Sequence, residues 1–152
     1  MKARDVMTRP AISLSPKTPA QSAAALLVSH GFTGAPVVDE DERVVGIATE
    51  ADLVRGRIAP DDWTGTKQPP EPTVEDVMTP APVVARSDDD LADIVATMLD
   101  RGIRSVPVVK DGRLEGILSR RDVLRLVAHG TLTSEDVWRE RTGMASHDRG
   151  TG

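Results

Sequence analysis

The sequence predicts a mixed α/β fold in which one βαββα unit is written twice. Three recurrences predict it. Asp5-Val6-Met7-Thr8 returns 71 residues later as Asp76-Val77-Met78-Thr79, and Pro36-Val37-Val38 returns at the same spacing as Pro107-Val108-Val109. Gly46-Ile47-Ala48-Thr49-Glu50-Ala51-Asp52 then returns 70 residues on as Gly116-Ile117-Leu118-Ser119-Arg120-Arg121-Asp122. One residue is lost where Asp39 to Arg43 faces Lys110 to Arg113, and a hairpin turn is where length changes are best tolerated. A recurring period marks a structural unit, so both copies are expected to build the same elements.

The first copy opens on Ala11 to Leu14, held extended by Pro10 before it and Pro16 after it. A helix is expected next, with Thr18 as N-cap, Pro19 in the first helical position, Gln21 completing a capping box and Gly31 ending it. Its inner face, Ala20, Ala23, Ala24 and Leu27, aligns with Leu91, Ile94, Val95 and Met98 of a second helix, which Ser87 with Asp90 should start and Gly102 should end. Ala35 to Val38 and Val106 to Val109 are short and rich in β-branched residues. Each reads as a strand, followed by a polar turn and a second strand, Val44 to Ala48 and Leu114 to Leu118. Each second strand enters a helix, Glu50 to Arg57 and Arg120 to His129. The expected division is a first copy at 1–58, a linker at 59–72, a second copy at 73–130 and a C-terminal segment at 131–152. Proline and polar residues make the linker, with Trp63 as its docking anchor. Thr133 and Asp136 suggest one further helix carrying Trp138, ahead of a tail without order.

Composition narrows the function classes. Of the 152 residues 39% are hydrophobic but only 2% aromatic, so Val, Ile, Leu, Ala and Met must fill the core, and stacking platforms are few. A net charge of −5 argues against broad attraction to nucleic acid or an anionic membrane. The chain has no cysteine, which removes disulfides, thiolate catalysis and Cys-based metal sites together and fits a cytosolic protein. With no apolar leader at Met1 to Met7 and no long apolar run, the expectation is a soluble, cytoplasmic protein.

The chemistry concentrates at the recurring strand-to-helix corner. Ser119 and Asp122 have the spacing of a capping box, so a helix starts there, and its positive end lies beside Arg120 and Arg121. Those groups suit an anion. Asp122 suits something else, because a carboxylate accepts two hydrogen bonds from a vicinal diol; together the set suggests a ribose joined to a phosphate. A cap with no ligand is the plain alternative for a lone Ser-x-x-Asp. Its recurrence as Thr49 and Asp52 in the same place of a duplicated unit favours the ligand. Arg104 adds a third cation near the second corner, whereas the matching positions of the first copy are Thr33, Glu50 and Ala51. The corner holding Asp122 is therefore expected to bind a nucleotide more tightly.

A duplicated βαββα unit with Asp-Val-Met-Thr ahead of its first strand, an apolar-Pro-Val-Val strand and a closing Gly-Ile-x-Ser/Thr-x-x-Asp resembles a tandem pair of CBS domains, or Bateman module, over residues 1–130. The resemblance implies two repeats packed by their sheets about a pseudo-two-fold axis, with clefts that take AMP, ADP, ATP or S-adenosylmethionine. It implies ribose contacts at Asp52 and Asp122 and ribose or phosphate contacts at Thr49 and Ser119. Base contacts fall to Ile12, Val83, Thr33, Ala35, Arg104 and Val106. Such modules usually associate in pairs, and the apolar helix faces fit a homodimer.

No catalytic constellation is present. His30, His129 and His147 lack metal-ligand spacing, and Asp88-Asp89-Asp90 falls where a helix begins and is accounted for by the dipole. The sequence therefore predicts a regulatory module that senses an adenosine-containing ligand and signals by a change of conformation or assembly, through an effector protein or its own copies. It is not expected to be an enzyme, to hold a resident cofactor, or to bind nucleic acid or membrane. A scaffold with vestigial clefts is the competing reading.

Overall fold

The computed structural model describes residues 1–56 and 71–130. Trp63, Trp138 and the 133–136 box fall outside the described residues, as does most of the linker. The elements run in the order α1 (Ala3–Val6), α2 (Ala20–His30), β1 (Gly34–Val38), β2 (Val44–Thr49), α3 (Glu50–Arg55), α4 (Val74–Val77), β3 (Thr79–Pro80), β4 (Ala85–Arg86), α5 (Leu91–Arg101), β5 (Ser105–Lys110), β6 (Arg113–Ser119) and α6 (Arg120–His129). Among the described residues two three-stranded sheets form, ordered β1-β2-β3 and β4-β5-β6. In the first, β1 and β2 are antiparallel from Gly34 opposite Thr49 to Val38 opposite Val44. In the second, β4 runs parallel to β5, with Ala85 opposite Val108. The matching stretch of the first copy is narrower: Leu14 makes a single parallel bridge to Val37.

The chain divides into two compact bodies, and neither is one stretch of sequence. Among the described residues, one comprises 1–9, 84–110 and 115–130; the other comprises 10–56, 71–83 and 111–114. Each body thus combines the later part of one copy with the opening Asp-Val-Met-Thr segment of the other. In the first body Ala3 and Met7 join Leu91, Ile94, Val95, Met98, Val106, Val108 and Leu118 in the core. In the second, Val74 joins Leu14, Ala20, Ala23, Leu27, Ala35, Val37, Ala48 and Leu53. The helix faces expected from the apolar spacing are the buried ones, apart from Ala24, which packs half-buried against its core. Burying such side chains contributes about 1.5–3 kcal/mol each for the larger aliphatics.

The opening segments dock by regular bonding. Asp5 accepts the Lys2 N–H at 2.8 Å and Asp76 accepts the Thr73 N–H at 2.9 Å, so the aspartate of each motif caps its own short helix. Thr8 and Ile117 then exchange backbone bonds of 2.9 and 3.0 Å. Helix ends follow the sequence at their C-termini, where Gly31, Gly102 and Gly130 all turn left-handed. The N-termini of α2 and α5 differ from expectation. Helix α2 begins after Pro19 with no side-chain cap of its own. Its first amides go instead to Pro72 O at 2.9 Å and the Glu71 carboxylate at 3.2 Å. Helix α5 is capped by Asp90 through the Ala92 N–H rather than by a box with Ser87, whose carbonyl is taken by the Arg4 N–H at 2.9 Å.

Candidate functional site

Each corner forms because an extended strand residue with a hydroxyl side chain passes directly into a helix. Ser119 and Thr49 keep β backbone angles, while Arg120 and Glu50 begin α6 and α3. Ser119 Oγ accepts the Asp122 N–H at 3.2 Å and Asp122 Oδ2 accepts the Ser119 N–H at 2.9 Å. At the other corner, Thr49 Oγ1 accepts the Asp52 N–H at 3.2 Å and Asp52 Oδ2 accepts the Thr49 N–H at 3.0 Å. Both capping boxes predicted from the spacing therefore close.

The carboxylates do more than cap. They are buried, with 6% of Asp122 and 3% of Asp52 exposed. Asp122 Oδ1 accepts from Thr8 Oγ1 and from Arg125 Nη1, each at 3.0 Å, and Asp122 Oδ2 accepts from Ser119 Oγ at 3.0 Å. Asp52 repeats the arrangement more loosely on the hydroxyl side, with Thr79 Oγ1 at 3.4 and 3.3 Å from its two oxygens and Arg55 paired to Oδ1. A buried carboxylate needs such donors, since burial without partners costs several kcal/mol. What each corner builds is an acidic acceptor whose partners include a guanidinium and a hydroxyl from the Asp-Val-Met-Thr motif, with the Ser119 hydroxyl as a second at Asp122.

Those partners were not among the residues singled out in the sequence. A signal for them was present, because Thr8 and Thr79 belong to the recurring Asp-Val-Met-Thr motif, and Arg55 and Arg125 lie 70 residues apart in step with the aspartates. The glycine ahead of each corner explains how the threonine arrives. A Cβ on Gly116 would stand 2.8 Å from Met7 Sδ and 2.9 Å from Thr8 O; one on Gly46 would stand 2.5 Å from Met78 Sδ and 3.0 Å from Thr79 O. Only a residue without a side chain admits the segment.

The remaining expected residues fall into two groups. In the body holding Asp122, the Arg120 N–H donates to Arg104 O at 2.9 Å, placing Arg104 beside the corner, and Val106 lies buried in β5. Arg120 Nε donates to Ile103 O at 3.1 Å, and Arg104, Arg120 and Arg121 have exposed side chains. In the body holding Asp52, the Glu50 N–H donates to Thr33 O at 3.0 Å, the same tie in the other copy; Ala35 is buried and Ile12 half-buried. Val83, matched in sequence with Ile12, is counted with this second body and not with Asp122. Among the described residues, no group of three or more His, Asp or Glu side chains is placed to hold a metal ion. No helix among them is long and apolar enough to cross a membrane.

Comparison with known proteins gives a consistent picture. Protein MK0525 of Methanopyrus kandleri is 31% identical over 133 residues, which is 87% of this chain and 65% of that protein. The chain spans 65%, 42% and 57% of the length of three such relatives, so it corresponds to part of each. Among solved structures, the CBS domain pair of protein MJ0100 in complex with 5-methylthioadenosine and S-adenosyl-L-methionine superposes with a TM-score of 0.73 at 27% identity. CBSX2 in complex with AMP, a protein of Arabidopsis thaliana, superposes at 0.72 and 30%. Both similarities cover 86% of this chain and 98% of the other. The CBS domain family model matches residues 3–58 and again 74–129. With the duplicated corner, the two small sheets and these matches in agreement, the chain belongs to the CBS domain family and is a tandem CBS pair.

Proposed function

We propose that this CBS pair is a regulatory module that binds an adenosine-containing ligand at its strand-to-helix corners, with the ribose diol on Asp122 and on Asp52. One observation carries the reading: at both corners a buried aspartate already accepts a hydroxyl from a separate segment and pairs with an arginine three residues on. Such a carboxylate is suited to a diol, and the adjacent guanidinium is suited to a phosphate. Ser119 and Thr49 serve the ribose or phosphate; Arg104 and Val106 serve the base at the Asp122 corner, and Ile12, Thr33 and Ala35 serve it at the Asp52 corner. Arg104, Arg120 and Arg121 favour the Asp122 corner for charged nucleotides. The two similar structures with AMP and with S-adenosylmethionine support an adenosine core as the shared ligand feature.

The output of such a module is a change of conformation or assembly in the cytoplasm, passed to an effector protein or a second copy. Leu124 and Val127 of α6 are 63% and 56% exposed, an apolar pair that a second copy would cover. One set of measurements tests the proposal: thermal denaturation and sedimentation with AMP, ADP, ATP, S-adenosylmethionine, NAD and cyclic dinucleotides. A ligand present at 100 times its Kd should add about 2.7 kcal/mol of stability, and the chain should sediment as a dimer. A scaffold without a ligand is the second reading, favoured by the full set of partners both carboxylates already have. Absence of a shift with every compound would select it.

A further inference from the structure

Asp122 divides its two oxygens between different tasks. Oδ2 is committed to the helix, accepting the Ser119 N–H at 2.9 Å and the Ser119 hydroxyl at 3.0 Å. Oδ1 accepts only from side chains that are free to rotate elsewhere: Thr8 Oγ1 and Arg125 Nη1, both at 3.0 Å. A carboxylate offers about four acceptor positions, so in this state all are taken. A diol can bond Asp122 only by evicting a donor, and eviction from Oδ2 would undo the cap of α6. Eviction from Oδ1 leaves the fold intact. The Thr8 backbone stays fastened through its two bonds to Ile117, so its hydroxyl can leave by turning about χ1 into another staggered position.

We propose that Thr8 is a placeholder: its hydroxyl occupies the seat of one ribose hydroxyl on Asp122, competes with ligand, and keeps the buried carboxylate satisfied while the seat is empty. Arg125, whose side chain is 62% exposed, is displaced with it and becomes available to an entering phosphate alongside Arg104, Arg120 and Arg121. Ribose binding thereby breaks the one side-chain tie between the opening segment and α6 that Asp122 provides, which couples occupancy to the fastening of Met1–Arg9. Thr79 does the same work less firmly at Asp52, where its distances are 3.3 and 3.4 Å. The inference rests on the ribose reading given under Proposed function.

Calorimetry with AMP and with 2′,3′-dideoxy-AMP on the wild-type chain, Thr8→Val, Thr8→Ser and Thr79→Val tests it. Loss of one competing hydrogen bond should tighten AMP binding by Thr8→Val about fivefold, leave dideoxy-AMP unchanged, and be absent in Thr8→Ser. Thr79→Val should have a smaller effect. If the wild type binds AMP and Thr8→Val binds it equally or more weakly, or shifts both nucleotides alike, the placeholder is overturned and the ribose reading stands. If neither the wild type nor Thr8→Val binds AMP or any other adenosine compound of the panel, both fall.

Discussion

Asp122 caps a helix and, in the proposed function, also accepts a ligand, and a substitution that removes both tasks cannot separate them. Alanine would open the capping box, at about 1 kcal/mol, and strand the hydroxyl of Thr8 and the guanidinium of Arg125. Asparagine keeps an oxygen for the Ser119 N–H and removes the charge. Asp122→Asn should therefore fold, with AMP affinity lowered at least tenfold, the scale of a lost charge-assisted hydrogen bond of about 1.5–3 kcal/mol. Asp52→Asn should cost less total affinity, because Thr33, Glu50 and Ala51 stand where the second corner has Arg104, Arg120 and Arg121. Calorimetry on the pair of variants reads this directly, and a larger loss from Asp52→Asn would reverse the ranking. The arginine on each aspartate, Arg55 or Arg125, is common to both corners and so does not decide between them.

At the scale of elements, the strand-to-helix corner works because a short helix is docked against the glycine before it. Gly116 faces Met7 and the Thr8 carbonyl, and a backbone oxygen 2.9 Å from a new methyl cannot move aside cheaply. Gly116→Ala should destabilise the protein by about 1–3 kcal/mol, seen as a lower urea midpoint, and should weaken AMP binding by shifting Thr8 and Asp122 apart. An unchanged midpoint would mean that the segment repacks. The helix ends show where local reading succeeds and where it does not. Left-handed glycines and the Ser119–Asp122 and Thr49–Asp52 boxes are settled within a few residues of chain, and the structure keeps them all. The start of α2 is not local: Pro19 can offer no side-chain cap, and Glu71 and Pro72, some 50 residues away, supply the acceptors.

For the whole molecule, the exchange of opening segments makes a stretch of nine residues part of a core. Ala3 is fully buried, Met7 nearly so, and Met1 O receives the Leu91 N–H at 2.9 Å at the start of α5. Deleting Met1–Arg9 should cost at least about 2 kcal/mol, the lower end for removing a large core side chain, although it shortens only one end of the chain. Thermal denaturation followed by circular dichroism checks this; a Tm equal to that of the full chain would show the segment to be dispensable. The same deletion removes Thr8, so any nucleotide affinity that survives it is measured without the Thr8–Asp122 hydrogen bond.

By itself the sequence determined the duplication, the βαββα order of each copy, the apolar helix faces and the two hydroxyl-x-x-Asp corners. Each of these rests on near neighbours along the chain: a 3.6-residue stripe, a two-residue alternation, a cap three positions away. Tertiary structure alone decided that Thr8 reaches Asp122 across 114 residues of chain, that Thr79 reaches Asp52, and that each opening segment completes the core of the body it does not precede. Two identical motifs can dock on either of two nearly identical corners with the same local chemistry, so only the path of the intervening chain and the fit of Ala3, Met7 and Val74 into their cores select the partner.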